Sequence, residues 1–144
     1  MKKMICLLVI ALMIASVAFA AKKAMITPKD LAGLKGTYAG MLDFGTVGAT
    51  AASAPCKLEI LNDAVPVQAK LTVENVPDFV AQGLGIQAGT STMDLKDGVI
   101  TSQGTIFWTG PEKNFFEVSL SGEKRLSAFY IYRQIKGTAL LKKK

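Results

Sequence analysis

The segment VQAKLTVE, residues 67–74, alternates strictly between apolar or small side chains and polar ones. In an extended strand successive side chains point to opposite faces, so one face of this segment is apolar and the other is polar. A strand with one buried and one wet face is typical of antiparallel sheets. The segment therefore predicts an antiparallel β-strand, and it decides the fold class of the chain.

The same period of two recurs along most of the chain and predicts about nine strands. They lie at residues 34–42, 56–61, 67–74, 90–95, 98–102, 104–108, 114–121, 126–135 and 138–142. Asp97-Gly98 and Lys136-Gly137 tolerate a tight or left-handed backbone, so they predict hairpin turns. Strands of this kind predict an all-β fold, an antiparallel up-and-down meander of about eight or nine strands closed into a barrel. A small β-sandwich is the alternative.

Two segments do not fit the strand pattern. Residues 44–55 are rich in Gly, Ala, Ser and Thr and match no regular element, and the segment after Pro77 has the composition of a helical turn followed by a loop. Thr27-Pro28-Lys29-Asp30 combines a capping threonine, a proline at the first helical position and an acid at the third. These residues predict one short N-terminal helix at 28–33.

The N-terminus has the pattern of a secretory signal peptide. A positive start, Met1-Lys2-Lys3, precedes an uncharged apolar run of about 16 residues that ends at Ala18-Phe19-Ala20. A membrane anchor, the alternative, needs about 20 apolar residues. We therefore expect residues 1–20 to be removed, with cleavage near Ala20-Ala21, and the chain to be exported to a bacterial periplasm or secreted.

Residues 21–33 then form an N-terminal segment, and residues 34–144 form a single barrel-like domain. No second run of about 18 apolar residues follows, so we expect no membrane span after cleavage. Loss of Lys2 and Lys3 leaves 15 Lys and Arg against 11 Asp and Glu, a formal charge of +4. The excess lies at the ends, in 22–23 and 142–144, where solvated termini are a simpler explanation than a nucleic-acid or membrane patch. We expect no nucleic-acid partner.

The chemistry of the chain disfavours catalysis. There is no histidine, which removes Ser/His and Cys/His pairs and the commonest transition-metal ligand. One cysteine after cleavage is too few for a structural zinc site, and no phosphate-binding glycine motif is present. We expect no catalytic residue, no metal and no cofactor, and therefore a protein that is not an enzyme.

Cys56 is left without an intrachain partner once Cys6 leaves with the signal peptide. It shares a strand face with Leu58 and Ile60, which predicts a buried free thiol that packs as a small hydrophobe. An intermolecular disulfide or a modified thiol is the alternative.

A local pattern near the start of the domain resembles the lipocalin-like (calycin) barrels. It consists of Leu31, Leu34 and Gly36-Thr37-Tyr38, a helical turn that runs into the first strand. In that superfamily a Gly-x-Trp opens the first strand, and a basic residue near the last strand packs over the ring. Here Tyr38 replaces the tryptophan, and Arg133 is the natural counterpart of the basic residue. The resemblance implies a barrel closed by Tyr38 and Arg133, with an interior pocket, and it identifies no ligand.

Aromatic doublets mark the C-terminal third, where Phe107-Trp108, Phe115-Phe116 and Phe129-Tyr130 occur. In a strand one ring of each doublet points inward and the other outward. Outward rings such as Phe115 and Phe129 would form an apolar surface patch if their strands are neighbours, and such a patch is a candidate contact site.

Two functions are compatible with these patterns. The first is an exported, non-enzymatic protein that holds a small apolar ligand or lipid in its barrel, since a barrel of about eight strands has room for one small ligand. The second is a periplasmic protein–protein interaction module, such as an inhibitor, a chaperone or an envelope-assembly partner.

Overall fold

The computed structural model describes residues 24–46, 49–84, 88–110, 114–132 and 135–144. Eight strands follow one another along the chain: β1 (Gly36–Thr46), β2 (Ala49–Ile60), β3 (Val67–Val76), β4 (Gly89–Ile100), β5 (Ile106–Thr109), β6 (Phe115–Leu120), β7 (Arg125–Tyr132) and β8 (Ile135–Lys143). Each strand pairs antiparallel with the next, and β8 pairs with β1 to close the barrel. The predicted all-β, up-and-down closed barrel is confirmed, and the sandwich alternative is wrong.

The alternation seen in the sequence sorts side chains between the inside and the outside of the barrel. In β3 the side chains of Val67, Ala69, Leu71 and Val73 are buried, and the polar residues between them face outward. Large side chains from all around the barrel fill the described interior positions; the fully buried ones include Tyr38, Leu42, Phe44, Leu58, Ile60, Leu71, Ile106, Trp108 and Phe116. The barrel is thus built around one hydrophobic core.

The predicted N-terminal helix is present as a short 3-10 turn, Pro28–Asp30, which continues into α1 (Leu31–Leu34). The Asp30 carboxylate accepts hydrogen bonds from the backbone N–H of Thr27 (2.8 Å) and from its hydroxyl (2.6 Å), which lowers the pKa of Asp30. Leu31 and Leu34 are buried. This segment therefore covers one end of the barrel, which we call the α1 end.

A second helix, α2 (Asp78–Leu84), follows Pro77 where the sequence indicated a helical turn. Val80 and Ala81 are buried, and Phe79 is exposed. Since α2 connects β3 to β4, it lies at the barrel end opposite α1. Within the described ranges, no helix is both long enough and apolar enough to cross a membrane.

The prediction that residues 44–55 form no regular element is wrong. β1 continues to Thr46, and β2 already begins at Ala49. Small residues give little contrast between apolar and polar positions, so the alternation is hidden in the sequence. In the structure Ala54 pairs with Leu42 and Ala52 pairs with Phe44, so small residues on β2 oppose large ones on β1.

The predicted turn at Asp97-Gly98 is also wrong, because both residues lie within β4, which replaces the two strands predicted at 90–95 and 98–102. A β-bulge absorbs the pair: Asp97 has φ 59°, and the register with β3 shifts there. The Trp108 indole lies against Gly98, where a Cβ atom would overlap it. The glycine is required for this close approach rather than for a turn.

The last predicted turn, Lys136-Gly137, lies within β8, so the strands predicted at 126–135 and 138–142 are shifted. Gly137 pairs with Phe44 on one side and with Tyr130 on the other. An added Cβ would lie 3.2 Å from the side chain of Leu42. Crowding by these larger side chains accounts for the glycine.

Candidate functional site

A cleft of about 400 Å³ opens at the α1 end of the barrel. We call it the end cleft, and it is lined by Gly33, Leu34, Tyr38, Leu120, Lys124, Arg125, Leu126, Lys143 and Lys144. These residues come from α1, from β1, from both sides of the β6–β7 turn and from the end of β8. Closure of the barrel between β1 and β8 is what brings these distant segments together.

The floor of the end cleft is apolar. Leu34, Tyr38 and Leu126 are buried, and Leu120 is half-buried and packs against the core. Tyr38 and Leu126 belong to the inward alternation of their strands, so the floor is the outermost layer of the core. An apolar group that binds in the end cleft would pack against these side chains and leave water. Its burial would contribute a favourable free energy of about 25 cal/mol per Å² of apolar surface.

The rim of the end cleft is basic. Lys124 and Arg125 lie at the β6–β7 turn, and Lys143 and Lys144 lie at the end of β8. Among the described residues no Asp or Glu lines the cleft, although Glu123 is exposed in the same turn. Like charges gathered around a concave surface raise the local positive potential and attract anions.

Lys143 is fixed at the inner side of this rim. Its Nζ donates a hydrogen bond to the carbonyl oxygen of Gly33 at 2.6 Å and lies 5.7 Å from the centroid of the Tyr38 ring. A cation over an aromatic face is stabilised by about 0.5–2 kcal/mol. Gly36 leaves space for the approach, since an added Cβ would lie 3.2 Å from the Lys143 Cε.

Tyr38 contacts α1 next to Lys143, and we call the contacts of these two side chains with α1 the junction. Its hydroxyl donates to the carbonyl oxygen of Leu34 at 2.8 Å, and burial raises the pKa of Tyr38. Two carbonyls of α1 thus accept hydrogen bonds from β1 and β8, and α1 has four residues. The junction holds this short helix on the barrel and fixes the shape of the cleft.

The sequence predicted a contact between Tyr38 and Arg133, and Arg133 lies outside the described residues. The cation over the Tyr38 ring is that of Lys143. The interpretation of residues 142–144 as a solvated terminus is wrong for Lys143, which is half-buried and hydrogen-bonded. In the alternation of β8, residue 143 falls on the same inward face as Ala139 and Leu141. This alternation is the sequence signal that would have predicted an inward Lys143.

Cys56 is a free, buried thiol on β2. Burial, with a smaller contribution from the negative charge of Asp43, raises the pKa of Cys56 to about 11. The thiol is therefore neutral near pH 7. The thiolate is the nucleophile and the metal ligand, so burial and the raised pKa both lower the reactivity of Cys56.

A second feature lies on the outside of the barrel. Phe107, Phe115 and Phe129 project outward from three neighbouring strands and form what we call the outer aromatic row. The ring centroids of Phe107 and Phe115 are 5.4 Å apart, and those of Phe115 and Phe129 are 5.9 Å apart. The structure therefore brings together the two rings, Phe115 and Phe129, that the sequence singled out.

The other ring of each doublet points into the core. Trp108 and Phe116 have centroids 5.9 Å apart, and Phe116 and Tyr130 are separated by 6.4 Å. The Trp108 Nε1 donates to the carbonyl oxygen of Val67 at 2.8 Å. Strands β5, β6 and β7 thus carry aromatic rings on both faces. Only the inner rings fill the core, so core packing does not explain the outer ones.

Comparisons with known proteins gave no match: no family model, no curated protein and no solved structure is similar enough to this chain to assign it to a family. In the part of the chain that the structure describes, no three Cys, Asp or Glu side chains are grouped so that they could hold a metal ion. The end cleft and the outer aromatic row are accordingly assessed on their own geometry.

Proposed function

We propose that this chain is an exported, non-enzymatic binding protein whose end cleft holds a small apolar molecule that carries an anionic group. The observation that supports the proposal is the combination of an apolar floor with a rim of four basic side chains. A ligand that is apolar at one end and negatively charged at the other would match both surfaces. Fatty acids and other acidic lipids have this chemistry.

The size of the end cleft supports a small ligand, because ligand pockets range from about 300 to 1,000 Å³ and this one, at about 400 Å³, is near the lower limit. The location also differs from the barrel centre that the sequence suggested. Large side chains such as Phe44, Trp108 and Phe116 occupy described positions in the interior. We therefore place the ligand between the core and the solvent, with its charged group at the rim.

Two fluorescent probes test this proposal. The anion 8-anilinonaphthalene-1-sulfonate and the neutral N-phenyl-1-naphthylamine share one ring system and differ in the sulfonate. We expect the anion to bind at least about tenfold more tightly, because a hydrogen bond to a charged group contributes about 1.5–3 kcal/mol. Equal affinities for the two probes would contradict a basic rim that selects anions.

Charge reversal locates the binding site. The double variant Lys124→Glu/Arg125→Glu should weaken binding of the sulfonate probe at least about tenfold and leave binding of the neutral probe unchanged. Lys57→Glu/Lys70→Glu is the control with the same change in net charge, since both lysines are exposed on the outside of the barrel. A control variant that weakens binding as much as the double variant would show a general charge effect and not a site.

Export is a further part of the proposal and has its own test. Expressed with residues 1–20 in a bacterial host, the protein should be recovered in the osmotic-shock fraction with Ala21 as its N-terminus. A product that stays in the cytoplasm and retains Met1 would contradict export. The result has no bearing on the end cleft, which can be tested on protein from either compartment.

The second candidate function is a protein–protein interaction module, and the outer aromatic row supports it. Three aromatic rings on the outside of a barrel form an apolar patch of the kind found at contact sites. Replacement of Phe115 and Phe129 by serine should then raise solubility and abolish the contact, whereas an unchanged contact would count against this function.

A further inference from the structure

We propose that the outer aromatic row is the face through which two copies of this chain pair. The inference names the partner for the second candidate function, and it does not depend on the end cleft, which lies at the end of the barrel and not on its side. The observations that carry it are the extent of the apolar surface and the charges that flank it.

The apolar surface extends beyond the three phenylalanines. On β4, Val99 pairs with Phe107 and is 48% exposed. On β7, Ile131 pairs with Phe115 and is half-buried. The apolar side chains thus extend across four strands, β4 to β7, with Glu117 among them on β6. Burial of such a patch against a second apolar patch is favourable in proportion to the area removed from water.

Two opposite charges flank Phe129 on the neighbouring strands. Glu117 of β6 pairs directly with Phe129. Lys136 of β8 pairs with Ile131, and its Nζ lies 5.2 Å from the centroid of the Phe129 ring. Within the described residues, neither Glu117 nor Lys136 forms a salt bridge. Each is therefore available to an opposite charge brought by a partner.

This arrangement is complementary to itself. A two-fold axis that lies in the interface, parallel to the strands and over Phe129, exchanges the β6 side with the β8 side. Glu117 of one copy then faces β8 of the second copy, where the Lys136 ammonium lies over the Phe129 ring, and the same contact occurs again in reverse, as two-fold symmetry requires. The phenylalanine rings meet at the centre, which is where the aromatic residues that dominate interfaces are found.

The charges also argue against a lipid surface as the occupant. Anionic membranes attract basic residues, and Glu117 lies between Phe107 and Phe129 in the register of the strands. A carboxylate in the middle of the patch would be repelled by such a surface. In the two-fold arrangement the same carboxylate meets a lysine, so a second copy satisfies both charges.

The test is sedimentation equilibrium of the purified protein over a range of concentrations. We expect a monomer–dimer equilibrium. Glu117→Lys and Lys136→Glu should each raise the dimer dissociation constant at least about tenfold, and the double swap Glu117→Lys/Lys136→Glu should restore it to within about threefold. Leu61→Ser is the control, since Leu61 is 43% exposed just after β2, away from the row, and it should leave the equilibrium unchanged.

Three results would overturn the inference. The first is a wild-type protein that stays monomeric up to about 1 mM, the limit of weak association. The second is a dimer in which the double swap does not restore what the single swaps lose. The third is a monomer that floats with vesicles of anionic phospholipid, which would assign the row to a lipid surface. Phe129→Ser, if it folds, should also abolish the dimer, and the charge variants test the inference if it does not.

Discussion

Two parts of the barrel's outer surface differ although the strands beneath them obey the same alternation. The outer side of β2, β3 and β4 forms what we call the charged wall; it carries Lys57, Glu59, Lys70, Thr72, Thr92 and Asp94. The outer side of β5, β6 and β7 carries the outer aromatic row. Most inward residues are apolar in both parts, and Ser91 of β4 is a buried polar exception.

The charged wall shows what the fold itself requires on the outside. Glu59 pairs with Lys70, and Lys70 pairs with Asp94, so opposite charges lie next to one another across three strands. Lys57 and Glu59 form a salt bridge at 3.6 Å. Such pairs keep a strand surface soluble at little energetic cost. A barrel of this kind does not need aromatic rings on its surface, which is why the outer aromatic row points to function.

The largest loss of stability should come from truncation of an inner aromatic ring behind the outer aromatic row. Phe116→Ala should lower the free energy of unfolding by about 3–5 kcal/mol, because it opens a cavity in the core. Its neighbour Phe115 is on the outer face and half-buried, so Phe115→Ala should cost only about 1 kcal/mol. Urea unfolding of both variants measures the difference. Equal losses would mean that the outer ring is structural, and the contrast between the two outer surfaces would lose its meaning.

The burial of Cys56, on the inner face of β2 behind the charged wall, can be tested by the pH dependence of stability. Its pKa of about 11 exceeds its ordinary value of 9.0, so folding favours the protonated thiol. We therefore compare the free energy of unfolding of the wild type with that of Cys56→Ala. The advantage of the wild type is complete below pH 9 and falls, by a total on the order of 2 kcal/mol, as the pH rises toward 11. All other titratable groups are the same in the two proteins, so their contributions cancel in the difference between the two free energies of unfolding. A difference that stays constant up to pH 11 would show that Cys56 is not buried as described.

The junction at the end cleft should contribute less. Lys143→Met removes the hydrogen bond to Gly33 and the charge over Tyr38, and we expect a loss of about 1–2 kcal/mol. Lys142→Met is the control, since Lys142 is exposed on the outer face of β8. A double-mutant cycle of Tyr38→Leu with Lys143→Met should give a coupling of about 0.5 kcal/mol or more. Additive losses would contradict the contact, and the coupling of Tyr38 with Arg133 stays a prediction.

The smallest effect belongs to the charged wall. Lys70→Ala should change the free energy of unfolding by less than about 0.5 kcal/mol, because exposed ion pairs are screened and contribute little. A larger loss on thermal or urea unfolding would show that the charged wall is part of the stability of the barrel. The two outer surfaces would then differ in energetics as well as in composition.

Local patterns in the sequence were enough to predict the barrel, because strand alternation at residues 67–74 and elsewhere directly encodes burial. At residues 44–55 small side chains hide the alternation, and the other errors arose where a distant contact decides the structure. The sequence predicts a turn at Gly98, because the indole of Trp108 that lies on this glycine cannot be foreseen from neighbouring residues. The hydrogen bond from Lys143 to Gly33 joins residues that are 110 positions apart. The end cleft depends on this contact, so it could not be predicted before the barrel was closed.

Binding of an apolar anion in the end cleft can be followed residue by residue with nuclear magnetic resonance. Titration of the ¹⁵N-labelled protein with dodecanoate, below the concentration at which it forms micelles, should shift the backbone amides of Gly33, Leu34, Tyr38, residues 120–126 and residues 143–144. Dodecanol, which has the same chain without the carboxylate, should cause smaller shifts in the same residues. Shifts centred on α2 at the opposite end of the barrel, or no saturable shifts at all, would contradict binding in the end cleft.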